Sequence, residues 1–180
     1  MARRKVGFQP NAYYHVFNRG ANRKPIFREE RNYYFLLKRI GECCVKNHIT
    51  VIAYCLLPNH YHLLVRQETE VKVSTFMQAV FNSYTKAFNE AYSRTGTLFE
   101  GPFKAVEIVN YSHLLNLCLY IHHNPVAAKL VADPVDWLFS NYLAFLRRDD
   151  QMLCDAKFLE DNFPEPKEYE KLIKDYRPLK

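Results

Sequence analysis

The sequence lacks any Cys-x-x-Cys pair. Its five cysteines, Cys43, Cys44, Cys55, Cys118 and Cys154, are odd in number and most sit among apolar residues. That argues against a disulfide framework and fits reduced, buried thiols, so a cytoplasmic location is expected. No apolar stretch is long enough to cross a bilayer, which excludes a membrane-spanning class. Arg3-Arg4-Lys5 is followed by no apolar run, so no signal peptide is expected. Internal repeats and low-complexity tracts are missing too.

Acidic residues are scarce at the N-terminal end. Residues 1–48 hold 11 Lys/Arg against 3 Asp/Glu, and residues 49–148 are nearly balanced at 8 against 7. Residues 149–180 reverse the sign, with 6 against 9, and the whole chain carries +6. Arg3, Arg4, Lys5, Arg19, Arg23, Lys24 and Arg28 are therefore candidates for phosphate contacts to nucleic acid. For any one of them, ordinary solvated charge is the simpler reading. With 180 residues, of which 48% are hydrophobic, one main domain with a real core is expected.

Periodicity outlines the elements. Tyr13 to Asn18 reads as a strand ending at Gly20, and Glu29 to Asn47 as an amphipathic helix. Ile49 to Leu57 is almost continuously apolar, as for a central strand. Pro58-Asn59 breaks the chain, and a second strand follows. A helix starts at Ser74 or Thr75, and Thr97 to Val109 reads as a strand interrupted around Gly101-Pro102. Tyr111 to His123 reads as a helix with Ser112 near its N-cap and Pro125 as its stop. This βαββαβα order predicts an α+β sandwich of sheet and helices. Trp137 is expected to anchor the segment after the last helix. The acidic tail carries a weak helical signal around Pro166 to Tyr176. Its sequence leaves open whether it packs on the domain or covers a DNA site.

Two segments carry chemistry. In Pro58-Asn59-His60-Tyr61-His62-Leu63-Leu64-Val65, strand alternation puts His60, His62 and Leu64 on one face and Tyr61, Leu63 and Val65 on the other. Two imidazoles on one face can converge on a cation, although two polar residues on a wet strand face would look the same. In Tyr120-Ile121-His122-His123-Asn124-Pro125, helical spacing puts Tyr120 and Asn124 on one side, with His123 near and His122 pointing elsewhere. Taken singly, Tyr120 reads more simply as core and Asn124 as helix termination.

Together with YHVFNRG (14–20) and GTLFEGPFKAV (96–106), these segments resemble the REP-associated tyrosine transposases of the HUH single-strand transposase and nuclease superfamily. The resemblance runs from about Ala12 to Tyr142 in the family's order. It implies a ferredoxin-like, RRM-like antiparallel sheet with packed helices, a catalytic domain over 1–148 and an acidic extension over 149–180. It also implies a metal-dependent cut in single-stranded or hairpin DNA that leaves a 5′-phosphotyrosine link and a free 3′-OH. Residue by residue, Tyr120 matches the nucleophile and His60 and His62 the metal pair. Asn124 stands where insertion-sequence relatives carry a glutamine that completes the metal site, and His123 competes for that place. A phosphate-bearing substrate suits Mg²⁺ or Mn²⁺. A homodimer is possible, with the tyrosine helix working in cis or in trans. The alternatives are a DNA-binding module of the same fold that has lost cleavage, and a hydrolytic nuclease in which water attacks.

Overall fold

The structure, a computed structural model, describes residues 7–148 and 153–177. In chain order the elements are β1 (Tyr13–Arg19), α1 (Glu30–Asn47), β2 (Ile49–Leu57), β3 (His60–Gln67), α2 (Val73–Ala91), β4 (Lys104–Ile108) and α3 (Tyr111–Ala127). Three further helices follow: α4 (Tyr142–Arg147), α5 (Ala156–Asn162) and α6 (Pro166–Asp175). The sheet order is β2-β3-β1-β4 and every pairing is antiparallel. This is the ferredoxin-like arrangement.

Each sheet face is covered by what its alternating side chains demand. Val16, Tyr61, Leu63 and Val65 meet Leu36 and Ile40 of α1 and Phe76, Val80 and Tyr84 of α2 in one core. Leu64 and Cys55 meet Leu114, Cys118 and Ile121 of α3 in a second core on the opposite face. A bulge between Val51 and Ala53 turns both Ile52 and Ala53 to this second core. The tail packs on the domain. Phe158, Leu159, Phe163, Tyr169 and Ile173 extend the second core. All five cysteines are free thiols, and burial pushes Cys44 and Cys154 up to about 12, so they are inert. No helix among the described residues is long and apolar enough to cross a membrane.

Three of the sequence expectations need correction. Ile49–Leu57 is an edge strand, not a central one. It reads as central because its free edge is covered. The Leu56 N–H donates to the Phe139 carbonyl at 2.9 Å, and Trp137 Nε1 donates to the Leu56 carbonyl at 3.1 Å. Pro125 lies inside α3, which runs on to Ala127. Proline removes one backbone donor, but the last turn keeps its other bonds: the Ala128 N–H donates to the Asn124 carbonyl at 2.8 Å and the Leu130 N–H to the Pro125 carbonyl at 2.9 Å. The helix starts on Asn110, whose side chain accepts from the His113 N–H at 2.9 Å, so Ser112 is not the cap.

One buried network ties these parts. Asn141 Oδ1 accepts from the Tyr54 N–H at 2.7 Å and from His122 Nε2 at 2.9 Å. Its Nδ2 donates to the Ile52 carbonyl at 2.8 Å and the Leu153 carbonyl at 3.0 Å. His122 then accepts the Tyr169 hydroxyl proton on Nδ1 at 2.7 Å. Burial lowers the His122 pKa to about 4, against about 6.5 in an unfolded chain. The unfolded state takes up this proton first, so the stabilisation is complete above pH of about 6.5 and is lost as the pH falls toward 4. The urea midpoint is expected to drop between pH 7 and pH 4.5, with His122 contributing roughly 2 kcal/mol over that range. His122→Gln should flatten part of that slope; an equally steep slope in the variant would remove His122 as its source.

Candidate functional site

The site lies where the N-terminal strand and the histidine strand meet. β1 and β3 pair with Phe17 opposite His62 and Arg19 opposite His60. Alternation therefore places His15, Phe17, Arg19, His60 and His62 on one face of the sheet, the face that α3 covers in part. An open cleft of about 500 Å³ remains, lined by Phe17, Arg19, Arg23, His60, His62 and Lys104, with Asn59 and Glu100 at its wall.

Backbone contacts bring the two distant motifs together. The Gly20 N–H donates to the Asn59 carbonyl at 2.8 Å, and the Ile26 and Phe27 N–H groups both donate to the Pro58 carbonyl. A Cβ on Gly20 would meet the Lys24 carbonyl at 2.1 Å, so only glycine allows this turn. Asn22 and Arg23 both adopt left-handed backbone, at φ 55° and 58°. The turn carries Arg23 to the cleft wall.

The rings show a defined set of contacts. Asn59 Nδ2 donates to the Arg23 carbonyl at 3.2 Å, and Asn59 Oδ1 lies 2.7 Å from His60 Nδ1. An amide oxygen only accepts, so His60 carries its proton on Nδ1 and keeps Nε2 as a lone-pair nitrogen. His62, only 7% exposed, has its Nδ1 2.9 Å from His15 Nε2. Burial lowers the pKa of His62 well below the usual value. Burial, then the nearby Arg19 charge, lowers that of His60. Both rings are neutral at pH 7, the form that binds metals. Tyr120 presents its ring to the edge of His62, with centroids 5.5 Å apart at 85°, and to His15 at 6.2 Å and 78°.

Among the sequence candidates, the fold brings His60, His62, Arg19 and Arg23 to one cleft and sets Tyr120 against His62 of the same chain. Asn124, a turn after Tyr120, donates Nδ2 to the Tyr120 carbonyl at 2.7 Å, which leaves its Oδ1 as the acceptor atom. His123 instead faces the tail, its ring 5.3 Å from Tyr176. Lys24 is exposed and outside the cleft lining, and Arg28 stacks on Tyr92 at 4.6 Å. Arg3, Arg4 and Lys5 lie outside the described residues. Sequence reasoning passed over His15, Phe17, Asn59, Glu100 and Lys104. His15 and Phe17 lie in the YHVFNRG segment, and strand parity on residues 13–19 turns both to the face of His62. Glu100, within the GTLFEGPFKAV segment, pairs with Arg19 at 2.8 Å across 81 residues, a contact that only the fold reveals.

The donor set fits a divalent cation. It offers two neutral imidazoles whose Nδ1 atoms are already engaged, with an amide oxygen on the neighbouring helix. Among the described residues no three His, Cys, Asp or Glu groups form a metal cluster, so further ligands would be amide, water or phosphate oxygens.

The model of the IS200-like transposases matches residues 8–124, which span β1 through Asn124. The chain belongs to the IS200-like transposase family. Within solved structures, that of a REP-associated tyrosine transposase bound to a REP hairpin superposes with a TM-score of 0.70. It is 20% identical, and the match covers 82% of this chain and 87% of that one, so the fold is shared. A Deinococcus radiodurans R1 protein with a provisional transposase assignment is 16% identical over 68% of this chain and 97% of that one, with a TM-score of 0.47. No curated protein matches the chain. Family membership assigns the protein to DNA transposition, and metal dependence is general in the family.

Proposed function

We propose that this transposase cuts and rejoins single-stranded DNA beside a hairpin, with Tyr120 as nucleophile. The observation that carries this reading is the Tyr120 ring set against His62 at the edge of a basic cleft. Tyr120 Oη forms a bond to phosphorus as the P–O3′ bond breaks. The tyrosine proton leaves, the 3′ oxygen ends as a hydroxyl, and the 5′-phosphate stays on Tyr120. The covalent link conserves the phosphodiester bond, so the reverse attack rejoins DNA rather than hydrolysing it.

His60 and His62 through Nε2, with Asn124 Oδ1, would hold Mg²⁺ or Mn²⁺. When bound, the ion polarises the phosphoryl oxygen and steadies developing charge. Arg19, Arg23 and Lys104 hold the strand by its phosphates, and Phe17 offers a ring for a base. Both the tyrosine and the histidines come from one chain, which supports assembly in cis. The test incubates wild-type protein with labelled hairpin DNA and Mn²⁺ and looks for a covalent adduct on a denaturing gel. An adduct that EDTA prevents supports the reading. Hairpin binding with no adduct would favour a module that binds without cutting.

The cleft cations have a separate signature. Arg23→Gln with Lys104→Gln should weaken binding to all single strands alike and flatten the log–log salt slope by roughly 0.7 per lost contact. Fluorescence anisotropy across a salt series measures this. An unchanged slope would make both side chains bystanders.

A further inference from the structure

We propose that His15 is a positioning residue: its Nε2 accepts the Nδ1 proton of His62 and so keeps His62 Nε2 bare for a cation. This deepens the reading of His60 and His62 as a metal pair and rests on it. His60 needs no such helper. Asn59 Oδ1 fixes its tautomer, because the other end of that amide is committed to the Arg23 carbonyl. Among the described residues, no carboxylate or amide oxygen meets His62 Nδ1. What lies there is a second imidazole, which can either give or take a proton.

The geometry of the pair is that of a hydrogen bond in the ring plane. The two nitrogens are 2.9 Å apart, the ring centroids are 5.1 Å apart, and the planes differ by 24°. The nitrogens thus lie between the rings, and the lone pair of one points along the N–H of the other. Only one direction of transfer is compatible with a ligand. If His15 donated, His62 would carry its proton on Nε2, and both its nitrogens would be occupied. If His15 accepts, His62 matches His60: protonated on Nδ1 and bare on Nε2. The sheet enforces the meeting. His15 stands two residues from Phe17, which pairs with His62, so strand parity turns both imidazoles to the same face. His15 is thus to His62 what Asn59 is to His60, a partner that orients the ring and sets its basicity.

Substitutions separate this role from simple packing. His15→Phe keeps a ring to pack beside Tyr120 and removes the acceptor. His15→Gln places an amide oxygen near the former Nε2. Long-range ¹H–¹⁵N spectra of the metal-free protein at neutral pH read the His62 tautomer directly. Wild type is expected to show His62 protonated on Nδ1. The Phe variant should lose that form, and Gln should restore it. In calorimetry, Mn²⁺ affinity should fall on the order of 10- to 100-fold in His15→Phe and largely recover in His15→Gln. A packing role alone would lower the melting temperature without moving the tautomer. His62 protonated on Nε2 in wild type would overturn the proposal, as would an unchanged tautomer in His15→Phe. Absence of Mn²⁺ binding by wild type would defeat the metal reading itself. The tautomer spectra, recorded without metal, decide His15 on their own.

Discussion

Tyr120→Phe is expected to bind hairpin DNA as wild type does and to form no covalent adduct. The ring of Tyr120 is partly buried against the second core and meets the edges of His62 and His15. Phenylalanine keeps those contacts, so the melting temperature should hardly move. What is lost is the hydroxyl proposed to attack phosphorus. Removing a nucleophile outright lowers the rate by factors on the order of 10³ or more. Single-turnover cleavage at saturating DNA, run beside anisotropy binding, separates the two effects. If the Phe variant still forms the adduct, another hydroxyl is the nucleophile, and Tyr176 beside His123 becomes the first to test.

His60→Ala and His62→Ala should each abolish cleavage, and EDTA should do the same to wild type. The two variants differ in what else they disturb. His60 is partly exposed, and its hydrogen-bond partner Asn59 Oδ1 can accept from water in its place. Its loss should cost little stability. His62 is 7% exposed and hydrogen-bonded to His15. Truncating it strands a buried nitrogen and opens a cavity, which should cost about 1–3 kcal/mol. His60→Ala is therefore the cleaner probe: a folded protein, normal melting, weakened Mn²⁺ binding by calorimetry, and a cleavage rate down by a factor on the order of 10² or more. Full activity in both variants, or in EDTA, would sink the metal reading.

Much of this was legible in residues alone. The alternation of His60 to Val65 sorted the two sheet faces correctly, and the helical period of 30–47 located α1 to within a residue. What local patterns could not show was what covers an edge. The strand at 49–57 is buried on both faces and along its rim, and the residues that cover the rim arrive more than eighty positions later. The same limit applied to the site. His60 and His62 stand two apart and announce themselves. A lone His15 carries no signal until pairing sets it beside His62. Pro125 misled because its missing N–H costs one bond of the ladder, which α3, packed on both the sheet and the tail, tolerates.

Those contacts also impose an order on assembly. His122 lies two residues after Tyr120 on α3, and its buried partner Tyr169 follows 47 residues later. On the ribosome the sheet and its basic cleft can form while the partner of His122 is still untranslated. Until Tyr169 arrives, His122 Nδ1 faces water and α3 lacks much of its outer packing. A nascent chain would thus present its basic cleft before the helix that carries Tyr120 is fully packed.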